Sequence, residues 1–354
     1  MLNFIFLFYV SCDGQITDTS ENKVLQKSYV EPAFSNNEIS KPTLRRLSKA
    51  QYQNIIREHF EPKYLLAQTE PNNVADQDIL DLELVFSSQL EPDLATEGLY
   101  AIGSSITTIS PIGVERYEQS AFNISEQVVH FLKESDSYHD LFFNCSVSSL
   151  NLDCAQTGIE KQTRSLWRRD ITETETQNLN LFLTEIHQNS DDIYKTIEYG
   201  LAVILQSPHF LYRKEMGNEE GQLTGFELAN KLSFLLWNSS PDQELLDLAS
   251  SNEILDQEIL HEQSIRMMND HRFHQGLRSI FRDLLALSGL KDLTKDPLIF
   301  THANPDLGTS AEEETLRLLE YIILDQDEDF RTFLTSQTTF VDRRLAALYN
   351  IPAP

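Results

Sequence analysis

Three stretches of this chain begin the same way: a hydroxyl residue, then Gln or Glu three positions on, then apolar residues spaced by three and four. They are Ser48 with Gln51, Thr172 with Glu175, and Thr224 with Glu227. In such a pair the hydroxyl accepts from an amide of the first helical turn while the longer side chain reaches back to the cap amide, so each marks a helix start. Ser110-Pro111 and Ser240-Pro241 with Gln243 add two further starts, each with a proline that a first turn tolerates. Leu47, Tyr52, Ile55, Ile56 and His59 or Phe60 share one helical face, and Val114, Tyr117, Ala121, Ile124, Val128 and Phe131 form a longer stripe. Further helical runs occupy 179–186, 192–206, 227–237, 243–249, 259–268, 273–287, 311–324 and 341–349. With only 12 Gly and 12 Pro in 354 residues, turn-dense β architectures and glycine-looped nucleotide folds are disfavoured. Strand-like alternation is weak, its best piece being 105–109, and no fixed-period repeat occurs. The expectation is an all-α, multi-helix body of about ten to thirteen helices.

Residues 1–12, MLNFIFLFYVSC, form an apolar run too short to cross a bilayer but suited to the hydrophobic segment of an export signal. Ser11 before Cys12 fits the lipidated cysteine of a bacterial lipoprotein; a plain cleaved signal, a misplaced start and an ordinary buried N-terminus are the alternatives. Residues 13–43 are polar and lack helical period, as a flexible tether would. The chain is therefore read as a signal segment 1–12, a tether 13–43, an N-terminal helical domain 44–144, a disulfide loop and central helical domain 145–215, and a C-terminal helical domain 216–354. The expected location is the periplasm or cell envelope. The expected partners are a membrane, reached through lipid on Cys12, and an envelope protein.

Setting Cys12 aside leaves Cys145 and Cys154 as an even pair. In an oxidising compartment they can close a short loop as a disulfide; the alternative is two reduced thiols in a polar loop. No second cysteine pair or nearby His completes a zinc set.

Acidic residues outnumber basic ones 55 to 28, giving a formal charge of -27, the wrong sign for nucleic acid, which is excluded as a partner. The catalytic and metal motifs fail one by one. His261-Glu262 needs a second His where Ile265 stands, and His271 and His274 lack an acid or thiol at ligand spacing. Gly103-Ser104-Ser105 lacks the flanking glycine of a nucleophile elbow, and there is no Walker loop, G-x-G-x-x-G or C-x-x-C-H. Glu312 to Glu314 read as first-turn acids complementing a helix dipole, while Asp325, Asp327 and Asp329 lack the Gly and closing Glu of a calcium loop. No metal and no cofactor is expected.

Arginine is concentrated in four short clusters: Leu44-Arg45-Arg46-Leu47, Trp167-Arg168-Arg169, Ser207-Pro208-His209-Phe210-Leu211-Tyr212-Arg213, and Arg343-Arg344-Leu345-Ala346. Guanidinium forks bind carboxylates in two places and stack on rings, so these clusters suit either struts between helices or an anion-binding cleft, with struts preferred. Trp167, Arg168, Arg169, His209, Tyr212 and Arg213 are the residues of that cleft or structural cluster. His209 alone among them titrates near neutrality, and the sequence shows no partner for it.

The order of RRLSKAQYQNIIREHF (45–60), SPIGVERYEQSA (110–121), RSLWRRDITETE (164–175), ILQSPHFLYRKE (204–215), ELANKLSFLLWNSSPDQELLDLA (227–249) and TTFVDRRLAALYNI (338–351) resembles a secreted family of planctomycetes and myxobacteria. That family is built from consecutive domains of unknown function, often with cytochrome-c-like segments. The resemblance covers 44–351 and implies an exported, largely helical protein, a lipoprotein in myxobacterial relatives, without an established activity. It also implies cysteines just before the Trp167 segment. Relatives usually have Gly where Asn350 stands and continue beyond it into further domains, including the cytochrome-like region; this chain, ending at Pro354, reads as a shortened gene or a fragment. Two functions follow: a non-catalytic envelope lipoprotein serving as helical scaffold or binding subunit, or a periplasmic enzyme or electron-transfer accessory with a cleft near Trp167, His209 and Arg213.

Overall fold

The capping pairs nucleate helices where the spacing predicts them. At Ser48, Thr172 and Thr224 both reciprocal hydrogen bonds of the capping box form, opening α1 (Lys49–Phe60), α6 (Glu173–Ser190) and α9 (Gly225–Leu236). Ser110 accepts from the Gly113 amide and, with Pro111 in the first turn, opens the 24-residue α3 (Pro111–Glu134). The chain is a computed structural model that describes residues 43–64, 83–86, 90–96, 99–293, 295–296, 298–300 and 304–353, those of Ile102 and Ser105 by backbone alone. Cys12, the signal segment 1–12 and all but the last residue of the tether 13–43 lie outside the described residues.

In chain order the remaining elements are β1 (Thr43–Arg46), α2 (Tyr100–Ile106), α4 (Asp136–Phe142), α5 (Leu152–Trp167), α7 (Ile193–Gln206), α8 (Pro208–Leu211), β2 (Tyr212–Glu215), α10 (Gln243–Ser250), α11 (Gln257–Met268), α12 (Arg272–Leu284), α13 (Leu307–Glu320) and α14 (Arg343–Tyr349). The body is mostly helical. The principal core sits among α1, α3, α4, α5 and α7, where Tyr52, Ile124, Val128, Tyr138, Ile159, Leu201 and Leu205 are all but sealed from solvent. Two satellite clusters follow. Trp237, Leu245, Ala249 and Met267 join α9, α10 and α11, and Leu277, Phe281, Leu316 and Leu319 join α12 to α13. All these elements belong to one compact unit, Lys41–Pro354.

Four local expectations are corrected. The 105–109 alternation is no strand, because α2 extends to Ile106 and its first amides, Tyr100 and Ala101, donate to the Asp283 carboxylate at 2.7 and 3.0 Å. A sheet does exist elsewhere: β1 and β2 pair antiparallel, with Arg45 opposite Arg213 and Arg46 opposite Tyr212. Ser240-Pro241 does not cap α10; the Asp242 carboxylate, a stronger acceptor, takes the Leu245 amide instead. Val114 leaves the buried stripe of α3 and is 60% exposed.

Close helix contact depends on glycine, as Gly276 and Gly308 illustrate. A Cβ on Gly276 of α12 would lie 1.9 Å from the Leu236 carbonyl oxygen at the end of α9, and one on Gly308 would lie 1.7 Å from that of Leu290. Gly308 lets α13 begin at Leu307, four residues before the expected start, so Glu312 to Glu314 fall in its second turn, each with a partner of its own. Glu312 pairs with Arg282, Glu313 with Arg278 and Arg317, and Glu314 accepts from the Tyr349 hydroxyl. Gly276→Ala should lower stability by about 3 kcal/mol or more through backbone overlap, whereas Gly289→Ala, with nothing within 4 Å, should stay within about 0.5 kcal/mol of the wild type. Urea unfolding of the two variants side by side measures the difference.

Candidate functional site

Arg168 ends α5 in the left-handed conformation, φ 59°, and its side chain turns inward rather than out. The guanidinium is buried. Nη1 donates to the Leu166 carbonyl at 2.8 Å, and Nη2 lies 3.0 Å from the carbonyls of His209, Phe210 and Tyr212. Those last three belong to the corner where the four-residue α8 gives way to β2. A helix that short leaves its carbonyls without intrahelical donors, and Arg168 supplies them. Among the described residues no carboxylate neutralises it; burial, with Arg213 nearby, lowers its pKa to about 9. The ring of Phe210 lies 5.9 Å and that of Phe234 5.8 Å from its Cζ.

Trp167, Arg169 and His209 occupy the outer side of the same corner. The Trp167 indole donates to the Ile204 carbonyl at 3.3 Å, and its ring lies 4.8 Å from that of His209 and 5.4 Å from the Arg169 guanidinium. Arg169 grips Glu175 through both terminal nitrogens, at 2.9 and 2.6 Å, and His209 Nε2 lies 3.5 Å from the same carboxylate. Glu175 is thus the partner of His209 that the sequence did not reveal, because its place in the capping pair with Thr172 already accounted for it. The Arg169 fork holds Glu175 down at about 2. Burial first, and Arg169 next, lower the His209 pKa, against the pull of Glu175.

Tyr212 packs against the principal core, and Arg213 projects from β2 with its Cζ 4.5 Å over the Phe234 ring. Desolvation lowers Arg213 to about 10. The structure therefore brings all six predicted residues to one corner but splits them, with Arg168 and Arg213 turned inward and Trp167, Arg169 and His209 outward. Of the other clusters, Arg46 is buried and binds Tyr117 and Asp93, each at 3.1 Å. Arg344 lies exposed, paired with Asp306 at 2.9 Å. Among the nitrogens expected to have no acid, His274 meets Glu320 and His271 meets Asp270, both at 3.2 Å.

A second constellation escaped the sequence. Trp237 is fully buried with its indole donating to Met267, and Arg272 stacks 3.4 Å over its ring. Arg272 pairs with Asp270 at 2.6 Å, while Arg266 pairs with Asp242 at 2.7 Å. α1 docks against this joint through Gln51 and Asn54, which donate to the Asn238 side chain and backbone at 3.0 and 3.1 Å. One turn on, Glu58 sits near Ser239, Arg272 and Asp270, where burial raises its carboxyl to about 7 and the nearby Ser239 hydroxyl opposes that rise. Its neighbour His59, bonded to Gln162, is lowered by burial to about 4. Sequence alone offers no signal for this joint, since residues 58, 239 and 272 meet only through tertiary packing.

Comparison with known proteins places the arginine corner within a recognised region. Residues 154–215 match the family model described as PSD5, protein of unknown function (DUF1595), and residues 223–351 match PSD4, protein of unknown function (DUF1592). The chain thus carries two consecutive domains of unknown function, with Arg168 and Arg213 in the first and Phe234 in the second. No curated protein and no solved structure matches it.

Two outcomes test these readings. Arg168→Met should cost about 3 kcal/mol or more, because it strands buried carbonyls, and Arg168→Lys should fall between it and the wild type in urea unfolding. Glu58 and His59 give opposite pH slopes. A carboxyl raised from 4.5 to about 7 makes the folded state the tighter proton binder, so stability falls as pH rises through that window. An imidazole lowered from 6.5 to about 4 does the reverse, and the two largely cancel. Glu58→Gln should therefore steepen the rise of Tm between pH 4.5 and 6.5 and raise Tm at pH 8; an unchanged profile contradicts the assignment.

Proposed function

We propose that the chain is an exported cell-envelope lipoprotein whose helical body acts as a non-catalytic scaffold or binding subunit. The observation that carries the proposal is the disulfide between Cys145 and Cys154. It closes the loop holding a short 3-10 turn, Val147–Ser149, and Asn151, whose side chain caps α5 through the Cys154 amide. Disulfides persist in oxidising compartments and are rare where thiols are kept reduced, so the bond supports export. Closing so short a loop contributes roughly 2–3 kcal/mol by restricting the unfolded chain.

The scaffold half of the reading rests on where the arginines spend their donors. Arg168 and Arg46 bind internal carbonyls, a phenol and a carboxylate, and Arg169 is occupied by Glu175. Such groups give cohesion and leave little for chemistry on a substrate. Lipid on Cys12 and the cytochrome-associated kinship belong to the same proposal: the apolar run before Cys12 supports the first, and the pair of consecutive domains is consistent with the second.

Mass spectrometry of protein isolated from its native envelope tests the proposal. The expected result is an acylated N-terminal Cys12, with Cys145 and Cys154 alkylated only after reduction. Recovery of unprocessed chain from the cytosol, with both thiols free, would overturn it.

A further inference from the structure

The corner where β1, β2 and α9 meet carries charge of the wrong sign for its chain. The protein has a formal charge of -27, yet Arg45, Arg168 and Arg213 converge here. In the sheet register Arg45 lies directly opposite Arg213, an arrangement of like charges that ordinarily destabilises a strand pair. Glu215 is the carboxylate acting on Arg213, and it is already engaged with Arg45 at 3.1 Å. Glu227, at the start of α9, is spent on the amides of Met216, Gly217 and Thr224.

Arg213 also differs from the other buried arginines in what its guanidinium does. Arg168 distributes its donors over backbone carbonyls, and Arg46, though its Nε is unpartnered too, is neutralised by Asp93. Arg213 rests on Phe234, with its Nε buried and unpartnered while the residue as a whole remains partly open to solvent. One helical turn before Phe234, Asn230 gives its amide to the Arg168 and Phe226 carbonyls and leaves its own Oδ1 buried without a donor. A strut spends its hydrogen bonds on protein; the Nε of this guanidinium meets no acceptor among the described residues, and Glu215, the carboxylate that acts on it, is shared with Arg45, so the cation is under-compensated where burial makes that costly. The ligand that suits such a fork is an oxyanion with two coplanar acceptors.

We propose that Arg213, backed by Phe234 and Arg168, is the receptor for a small oxyanion, the carboxylate or phosphate group of a ligand bound where the two domains of unknown function join. This deepens the binding-subunit reading and is independent of export, so either can fail without the other.

The test is titration of the purified full-length chain with inorganic phosphate and, separately, with sodium acetate, at ionic strength held constant with KCl. The readouts are calorimetry and the Arg Nε–H resonances. The expected result is saturable binding of at least one of the two anions, with the Arg213 Nε–H shifting along the isotherm; the anion that saturates identifies the source. Arg213→Gln should weaken that binding at least tenfold and Arg213→Lys by less, while Arg344→Gln, at an exposed ion pair elsewhere, should bind as the wild type does. Should Arg213→Gln fail to fold, the wild-type Nε–H titration decides alone. No saturable response to either anion, a response reproduced by KCl, or equal binding by a folded Arg213→Gln overturns the proposal.

Discussion

The arrangement of this molecule depends on a buried cation, Arg168, that meets backbone carbonyls and no carboxylate among the described residues. Arg168 holds the α8–β2 corner by donating to carbonyls that the short α8 cannot satisfy for itself. From that corner β2 reaches back to pair with β1, the Leu47 amide continues the ladder to Leu211, and α9 lays Phe234 beside both guanidiniums. A carboxylate would neutralise Arg168 but satisfy none of those carbonyls. Carbonyl dipoles instead stabilise the charge collectively, and the corner is fixed in the process.

The same economy recurs at other joints. Glu227 caps α9 and also gathers the Met216 and Gly217 amides of the preceding loop. Glu175 caps α6 and also grips Arg169. Asp242 opens α10 and binds Arg266. In each case a residue whose local role is to start a helix presents its remaining lone pairs to a distant element, so local order and tertiary order share the same atoms.

This doubling governs what could be read in advance. The helices were legible because caps and apolar spacing act within a few residues, and the body is mostly helical as those signals imply. The arginine corner was legible as a set of residues, since Trp167, Arg168, Arg169, His209, Tyr212 and Arg213 do assemble, but the split into inward and outward groups was not, because it turns on the left-handed φ of Arg168. The β1–β2 pair was invisible: TLRR and YRKE have no alternation of their own and become strands only on meeting. The Glu58 joint was hidden for the same reason, since nothing near residue 58 announces Trp237 or Arg272. At Asn350 the local rule does apply, because φ 53° at the end of α14 is a left-handed conformation that Asn tolerates better than most residues.

The carboxylate of Asp283 that closes the first turn of α2 has a bearing on how the protein is made. Residues 100 and 283 are 183 positions apart, about half of the 354-residue chain, and at ordinary ribosomal speeds the later one emerges roughly 10 to 40 seconds after the earlier. Throughout that interval the first amides of α2 lack their acceptor, and until β2 emerges β1 is also a lone strand edge, the state in which nascent chains associate wrongly. Its assembly is therefore a matter of timing: the first half waits, uncapped, for the second to arrive.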